Sequence, residues 1–555
     1  MVSTIGTVRP AAIAVPVQTQ AGPGELRMNN LTRLQRRRAM TPLRHPRSYA
    51  TLAAAALIAL SAPVSPAQAA DAFPPTPGVP CDAGSLPEAT QGRVPLADVN
   101  SGRAAKGYTC NARELGQFGS VGGYQVFRYV DKAGHECAYY DTTLLIGRDL
   151  PSQGSNGPGV YVMDMSNPAK PTYLRTLATP AMSSPHESLR LNQKRGLLAA
   201  VLGTLATGPG VVDIYDVSAD CRNPVLKSST PLGILGHESG FAPDGNTFYT
   251  AALGGRSVAA IDVADPVIPK LLWVTTDYRS HGISLSDDGN RLYMAESGDF
   301  KGLVILDTSQ IQARVLNPKV PIVSRTTWPN VGTPQYAEPF TLNGKKYLME
   351  IDEFGERANV GAGRILDMTD EKKPVVISNM RLAVNQEKAQ AGPQRQDPGA
   401  TATAQGYRGH NCSIPTRVNP TIVACSFIVS GLRIFDIADP RKPQEIAYFN
   451  GKIKPTADFG LLRLGAFAMA SPVYIPERRE VWYSDGNLGF HSVRLTAAAK
   501  RTGPTAAGPK QAPARPAGPS SAGGQLPTTG LPVLLPLTAA ACLGGFVWLR
   551  RRRTV

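Results

Sequence analysis

The sequence predicts an all-β protein, a β-propeller of seven blades with four antiparallel strands each. Three observations carry this expectation. An apolar strand ending in aspartate, followed by a turn with proline, recurs along the middle of the chain. A hairpin pattern sits between consecutive copies. Almost no stretch between them shows helical periodicity.

The Asp-ended strands are GVYVMDMSNPAKP (159–171), GVVDIYDVSADCRNP (210–224), SVAAIDVADPVIP (257–269), GLVILDTSQI (302–311), GAGRILDMTDEKKP (361–374) and GLRIFDIADPRKP (431–443). Their aspartates are Asp164, Asp216, Asp262, Asp307, Asp367 and Asp436, separated by 52, 46, 45, 60 and 69 residues. LGFHSVRLT (488–496) is a seventh, degenerate copy. The hairpins HESLRLNQKRGLLAA (186–200), HESGFAPDGNTFYTA (237–251) and HGISLSDDGNRLYMA (281–295) align without a gap. Two of them carry DGN, a strong tight-turn signal. Hairpin, Asp-ended strand and return strand make one four-stranded unit. Radial repetition of such units leaves few exposed edges, and seven Asp-type strands give seven blades; a stacked solenoid is the alternative. The strand near GYQVFRYV (123–130) is expected to help close the ring.

The strands VYVMD, LVILD and LRIFD, each followed by a polar turn, resemble the LVIVD repeat of bacterial surface and secreted proteins over about 159–496. That resemblance implies a propeller and no one common activity. The chain departs from it at SQIQARVLNP (309–318) and at the insertion 386–406, which lengthen two connections. Long loops on a rigid ring are where binding specificity tends to sit.

The formal charge of +16 lies mostly at the ends. Residues 1–69 hold eight Arg and one Glu, and residues 530–555 hold four Arg and no acid. The remainder has 46 basic and 41 acidic residues, so no nucleic-acid footprint is expected. Residues 1–69 read as a signal peptide with a long basic n-region, the apolar stretch 51–63 and an Ala67-Gln68-Ala69 cleavage site. An N-terminal segment, 70–107, and the propeller, 108–496, follow. Residues 497–525 are a Pro/Ala/Gly-rich linker suited to crossing the cell wall. Leu526, Pro527, Thr528, Thr529 and Gly530 precede an apolar transmembrane stretch, 531–549, and the tail RRRR (550–553). This order resembles the LPXTG cell-wall sorting signal of Gram-positive bacteria. The resemblance implies that a sortase cuts after Thr529 and joins it to peptidoglycan. The membrane would be engaged only before that cleavage, and the mature protein would be secreted and wall-anchored.

Cys542 lies in the apolar stretch, which leaves six exported cysteines, an even number in an oxidising compartment. Cys412 and Cys425 flank a turn near 418–419 and fall almost opposite each other, which predicts a disulfide. Cys81, Cys110, Cys137 and Cys221 allow three connectivities, and proximity in sequence favours Cys110–Cys137.

His186, His237, His281 and His410 occupy one equivalent position, the start of an innermost strand, with Tyr336 and Ser471 in the fifth and last repeats. Innermost strands line the axial channel, so these imidazoles can converge on a transition metal at the channel mouth. Glu350 and Asp352 of EIDEFGE (350–356) are candidate further ligands. The plainer reading is that each histidine bonds a neighbouring backbone carbonyl and packs. Because residues alternate faces along a strand, only one member of each His-Glu pair is expected to enter the channel.

Two functions stay open. One is a wall-anchored module binding an extracellular ligand or protein, and no complete catalytic set argues against it. The other is an extracytoplasmic metal-dependent enzyme, an oxidoreductase, with its chemistry at the histidines.

Overall fold

Seven antiparallel sheets, each a blade of four strands with a fifth strand added to one of them, form a β-propeller in the computed structural model. It describes residues 74–502 apart from 144–155, 204–209, 355–360, 387–388, 390–391, 402–405 and 454–465. The expected signal peptide and sorting signal, and nearly all of the expected linker, lie outside the described residues. Among those residues no helix is long and apolar enough to cross a membrane.

The innermost strands, in chain order, are Val126–Val130, Arg190–Asn192, Gly240–Phe241, Ser280–Leu285, Thr333–Leu342, Asn411–Ser413 and Val473–Ile475. Each blade packs both faces against neighbours, so its middle strands are apolar throughout rather than alternating: Val160–Asp164 and Leu197–Val201 are almost wholly buried. Seven apolar clusters result, one between each pair of adjacent blades. The cluster joining the last blade to the first sets Trp482 and Phe490 against Tyr140, Tyr161 and Met163. Outer strands such as Lys270–Thr275 are half exposed.

The recurring aspartate has a turn-forming role. Asp164, Asp216, Asp262, Asp307, Asp367 and Asp436 each accept, through Oδ1, the amide N–H two residues on, at 2.8–3.0 Å. This side-chain mimic of a backbone turn stops the strand and starts the connection outward. The DGN turns work alike: Asp244 and Asp288 accept from Asn246 and Asn290, with Gly245 and Gly289 at φ +75° and +73°.

Ring closure departs from expectation. GYQVFRYV contributes Val126–Val130, the innermost strand of the first blade, not the closing strand. Closure falls to Ala112–Phe118, which pairs with Gly489–Leu495 as the outermost strand of the seventh blade. Just before it, Tyr108–Cys110 adds a fifth strand to the sixth blade. Residues 74–107 strap the fifth and sixth blades: Val79 N–H donates to Glu445 O, and Thr76 N–H to Arg381 O.

The disulfides follow this topology. Cys412 and Cys425 sit directly opposite in register and are joined. Cys110 pairs with Cys81 and Cys137 with Cys221, which replaces the expected Cys110–Cys137 bond. The physical reason is the strand Tyr108–Cys110, which places Cys110 in the sixth blade while Cys137 lies in the first, so nearness in sequence is not nearness in space.

Candidate functional site: a histidine–glutamate cluster on the propeller axis

The four predicted histidines meet at the axis. The His186 and His237 rings stack with centroids 4.6 Å apart, and His237 and His281 at 4.4 Å. Tyr124 of the first blade packs against both His186, at 4.5 Å, and His410, at 5.4 Å. His281 and His410 are buried, and His237 is 12 % exposed.

Two carboxylates cross this ring. Glu187 lies 2.9 Å from His410 Nε2 and 3.3 Å from His237 Nε2. Glu353 lies 3.3 Å from His281 Nε2 and 3.6 Å from His410 Nε2. Ligand atoms of His186, Glu187 and His237 all lie within 4.8 Å of one another, a spacing that can hold a metal ion. The far nitrogens of two histidines are fixed from outside: His281 Nδ1 bonds Pro334 O at 2.8 Å, and His410 Nδ1 bonds Met469 O at 2.6 Å. An Nδ1–H committed to a carbonyl leaves Nε2 as the lone pair on the neutral ring, the arrangement that orients metal-ligating histidines.

Charge in the cluster is uneven. Burial and the neighbouring imidazoles hold His237 well below the usual histidine range despite Glu187, and burial brings His281 down to about 4. Burial opposes the charged form of His410 too, but its bond and attraction to Glu187 win and raise it to about 9. Burial alone would raise Glu187; His237 and His410 outweigh it and hold the carboxyl well below its usual range. The charged forms of His410 and Glu187 therefore favour each other, while burial favours neutral His237 and His281.

Glu350 and Asp352 do not join the histidines. Glu350 is directly opposite Arg364 on the next strand and is paired with it. Asp352 takes Arg364 at 2.9 Å and the Gly332 amide at 2.9 Å, with Arg364 stacked 4.4 Å over Trp328. Residues two apart share a strand face, so both turn to Arg364, and Glu353, of opposite parity, turns to the histidines. Tyr336 does interrupt the ring, its side chain packing under the Arg190 guanidinium at 5.2 Å.

The expectation that only one member of each His-Glu pair enters the channel is also corrected. Alternation requires extended backbone, whereas His186 has φ +50° and both pairs precede the regular part of their strands. Glu187 therefore joins the histidines. Glu238 forms a second layer, accepting from Arg190 at 2.7 Å, Asn411 at 2.9 Å and Gln335 at 3.1 Å. Burial raises Glu238 to about 6, partly offset by Arg190. Gln335 also donates to Glu187 at 2.5 Å and so ties the two layers together.

The two long connections occupy different places in the repeat. The insertion 386–406, of which 387–388, 390–391 and 402–405 lie outside the described residues, comes in sequence between Val375–Met380 of the fifth blade and Asn411–Ser413, the sixth innermost strand. Residues 309–318 join the third and fourth strands of the fourth blade, where Arg314 bonds Asn246 O and Asp262.

No protein-family model matches the sequence, and no curated protein does. Among solved structures the chain is similar to the periplasmic gluconolactonase PpgL of Pseudomonas aeruginosa, at 15% identity over 62% of this chain and 94% of that one, with a TM-score of 0.41. It is similar to U3-55K at 10% identity, over 69% of this chain and 98% of that one, TM-score 0.43. Hydrazine synthase of Kuenenia stuttgartiensis matches at 14% identity, over 54% and 73%, TM-score 0.35.

Proposed function

We propose that this chain is an exported, wall-anchored propeller that binds a transition-metal ion at its axis. His186, His237, His281 and His410 are its ligands, with Glu187 and Glu353 beside them. One observation carries the reading: Nδ1 of His281 and of His410 is committed to a backbone carbonyl, while Nε2 of each faces the shared carboxylates. Packing alone would need only the carbonyl bonds. It would not gather four imidazoles and two carboxylates in one buried place, where unneutralised charge is costly. Imidazole-rich donor sets suit copper, iron, nickel or zinc over magnesium or calcium.

Display at the surface rests on the signal peptide, the linker and the LPTTG segment, with sortase and peptidoglycan as partners and the LVIVD-type repeat as the displayed body. A second reading is a metal-dependent oxidoreductase, for which the closeness of His186, Glu187 and His237 would supply the metal-holding group.

The test is metal analysis of the full exported chain after exposure to each metal in turn. We expect about one equivalent of one metal per chain, retained through gel filtration, and little in a His281→Ala, His410→Ala double variant that keeps its melting transition. A stable wild-type protein that retains none of these metals overturns the reading.

A further inference from the structure

On the far side of the Glu238 layer from the histidines, the axial channel widens into a cavity of about 640 Å³. Its lining includes Gln125, Arg190, Glu238, Tyr336 and Glu338. The volume falls in the range of small-molecule sites.

The cations in this lining are committed. Arg190 holds Glu238 at 2.7 Å and gives its other N–H groups to Ser239 O and Leu189 O. Arg128 holds Glu136, and Glu477 at 2.9 Å. What stays open is a set of acceptors. Gln125 is wholly buried; its Nε2 points to Glu238, and its Oε1 has no partner. Glu338 accepts from the Ile414 N–H and has Arg417 no nearer than 3.9 Å, and burial raises its carboxyl above the usual range despite both. A buried acceptor without a donor is costly, so its presence on a cavity wall points to a donor supplied from outside.

We propose that this cavity binds a small organic cation with a primary ammonium group, held by Gln125 Oε1 and the Glu338 carboxylate. An ammonium brings three N–H donors, a positive charge and no acceptor, which suits the unpartnered Gln125 Oε1 and the Glu338 carboxylate. An anion would meet Glu338. Tyr336 has one face under Arg190, and its ring adds the aromatic wall that alkyl ammonium ions favour. The proposal does not depend on the metal site, which lies across the Glu238 layer.

The experiment is titration calorimetry on the full chain, disulfides intact, with 1,4-diaminobutane as probe and glucose and acetate as comparisons. Saturable 1:1 binding of the diamine is expected, weakened about tenfold or more in Glu338→Gln, with glucose and acetate giving no binding. Gln125→Met keeps the volume and removes the acceptor, and it should weaken the diamine as well. It stands as the test if Glu338→Gln does not fold. No saturable heat with the diamine at millimolar concentration overturns the proposal. So does glucose binding in its place, or wild-type affinity in a folded variant of either residue.

Discussion

The carboxylate of Glu187, from the second blade, bridges histidines of the third and sixth blades, with Oε1 2.9 Å from His410 Nε2 and Oε2 3.3 Å from His237 Nε2. A single side chain thus spans the axis and sets the charge of the ring. Glu187→Gln keeps its shape and removes that charge. Metal affinity, read by competition with a chelator, should fall about 10–100-fold, the usual cost of losing a carboxylate that supports metal ligands. Unchanged affinity in a folded variant would detach Glu187 from the metal-holding group.

Surface anchoring gives a separate outcome. Thr529→Ala removes the residue at which the LPTTG segment would be cut and joined. The protein should move from the wall fraction to the membrane fraction or the medium. Continued release only by wall hydrolase would sink the sorting reading and leave the axial site untouched.

The three disulfides should differ in their contribution to stability. Cys137–Cys221 spans 84 residues and ties the first blade to the second, whereas Cys412–Cys425 spans 13 within one hairpin. Loop-closure entropy gives about 4.5 kcal/mol for the former and about 3 for the latter. Replacing each pair by serines should therefore lower the denaturant midpoint more for Cys137–Cys221. The reverse order, at equal m-values, would mean that native packing rather than chain entropy sets their contribution.

Much of this fold was legible because it repeats. Six aspartates at one strand end announce six turns of one kind, and the hairpins between them share a register. The histidine position was legible for the same reason: His186, His237, His281 and His410 align when the hairpins do. What the pattern hid lies where the repeat breaks. Strand alternation does not reach Glu187, because it precedes its strand and follows His186 at φ +50°. Glu353 is one place from Asp352 and three from Glu350, and strand parity depends on a register that bulges shift near Pro334 and Tyr336. Tyr124 and the closure strand 112–118 belong to partial repeats, which self-similarity finds poorly. The Cys81–Cys110 pair depends on Tyr108–Cys110 joining the sixth blade, and Cys137–Cys221 on the packing of the first blade against the second; neither contact is written in the repeat.

The N-terminal strap offers a last outcome. Arg433 of the sixth blade is completely buried, and it meets Glu88 of the strap twice at 2.8 Å and Glu445 of its own blade at 3.1 Å. Two more N–H bonds run to Ser430 O, and the guanidinium lies 4.5 Å over the Tyr448 ring. Burial pushes Glu445 above the usual carboxyl range even with Arg433 beside it, so that carboxylate depends on the arginine for its charge. Arg433→Met keeps much of the volume but strands two carboxylates, each 4 % exposed, without a cation. Breaking such a pair from one side costs about 3–5 kcal/mol. The strap should loosen first, because Glu88 holds it, so protease should cut within 74–107 before the blades unfold. Adding Glu88→Gln and Glu445→Gln to Arg433→Met removes the stranded charges and should recover about half or more of the loss. If the triple variant is as unstable as the single one, the guanidinium's bonds to Ser430 O and its packing on Tyr448 hold this junction, not its charge.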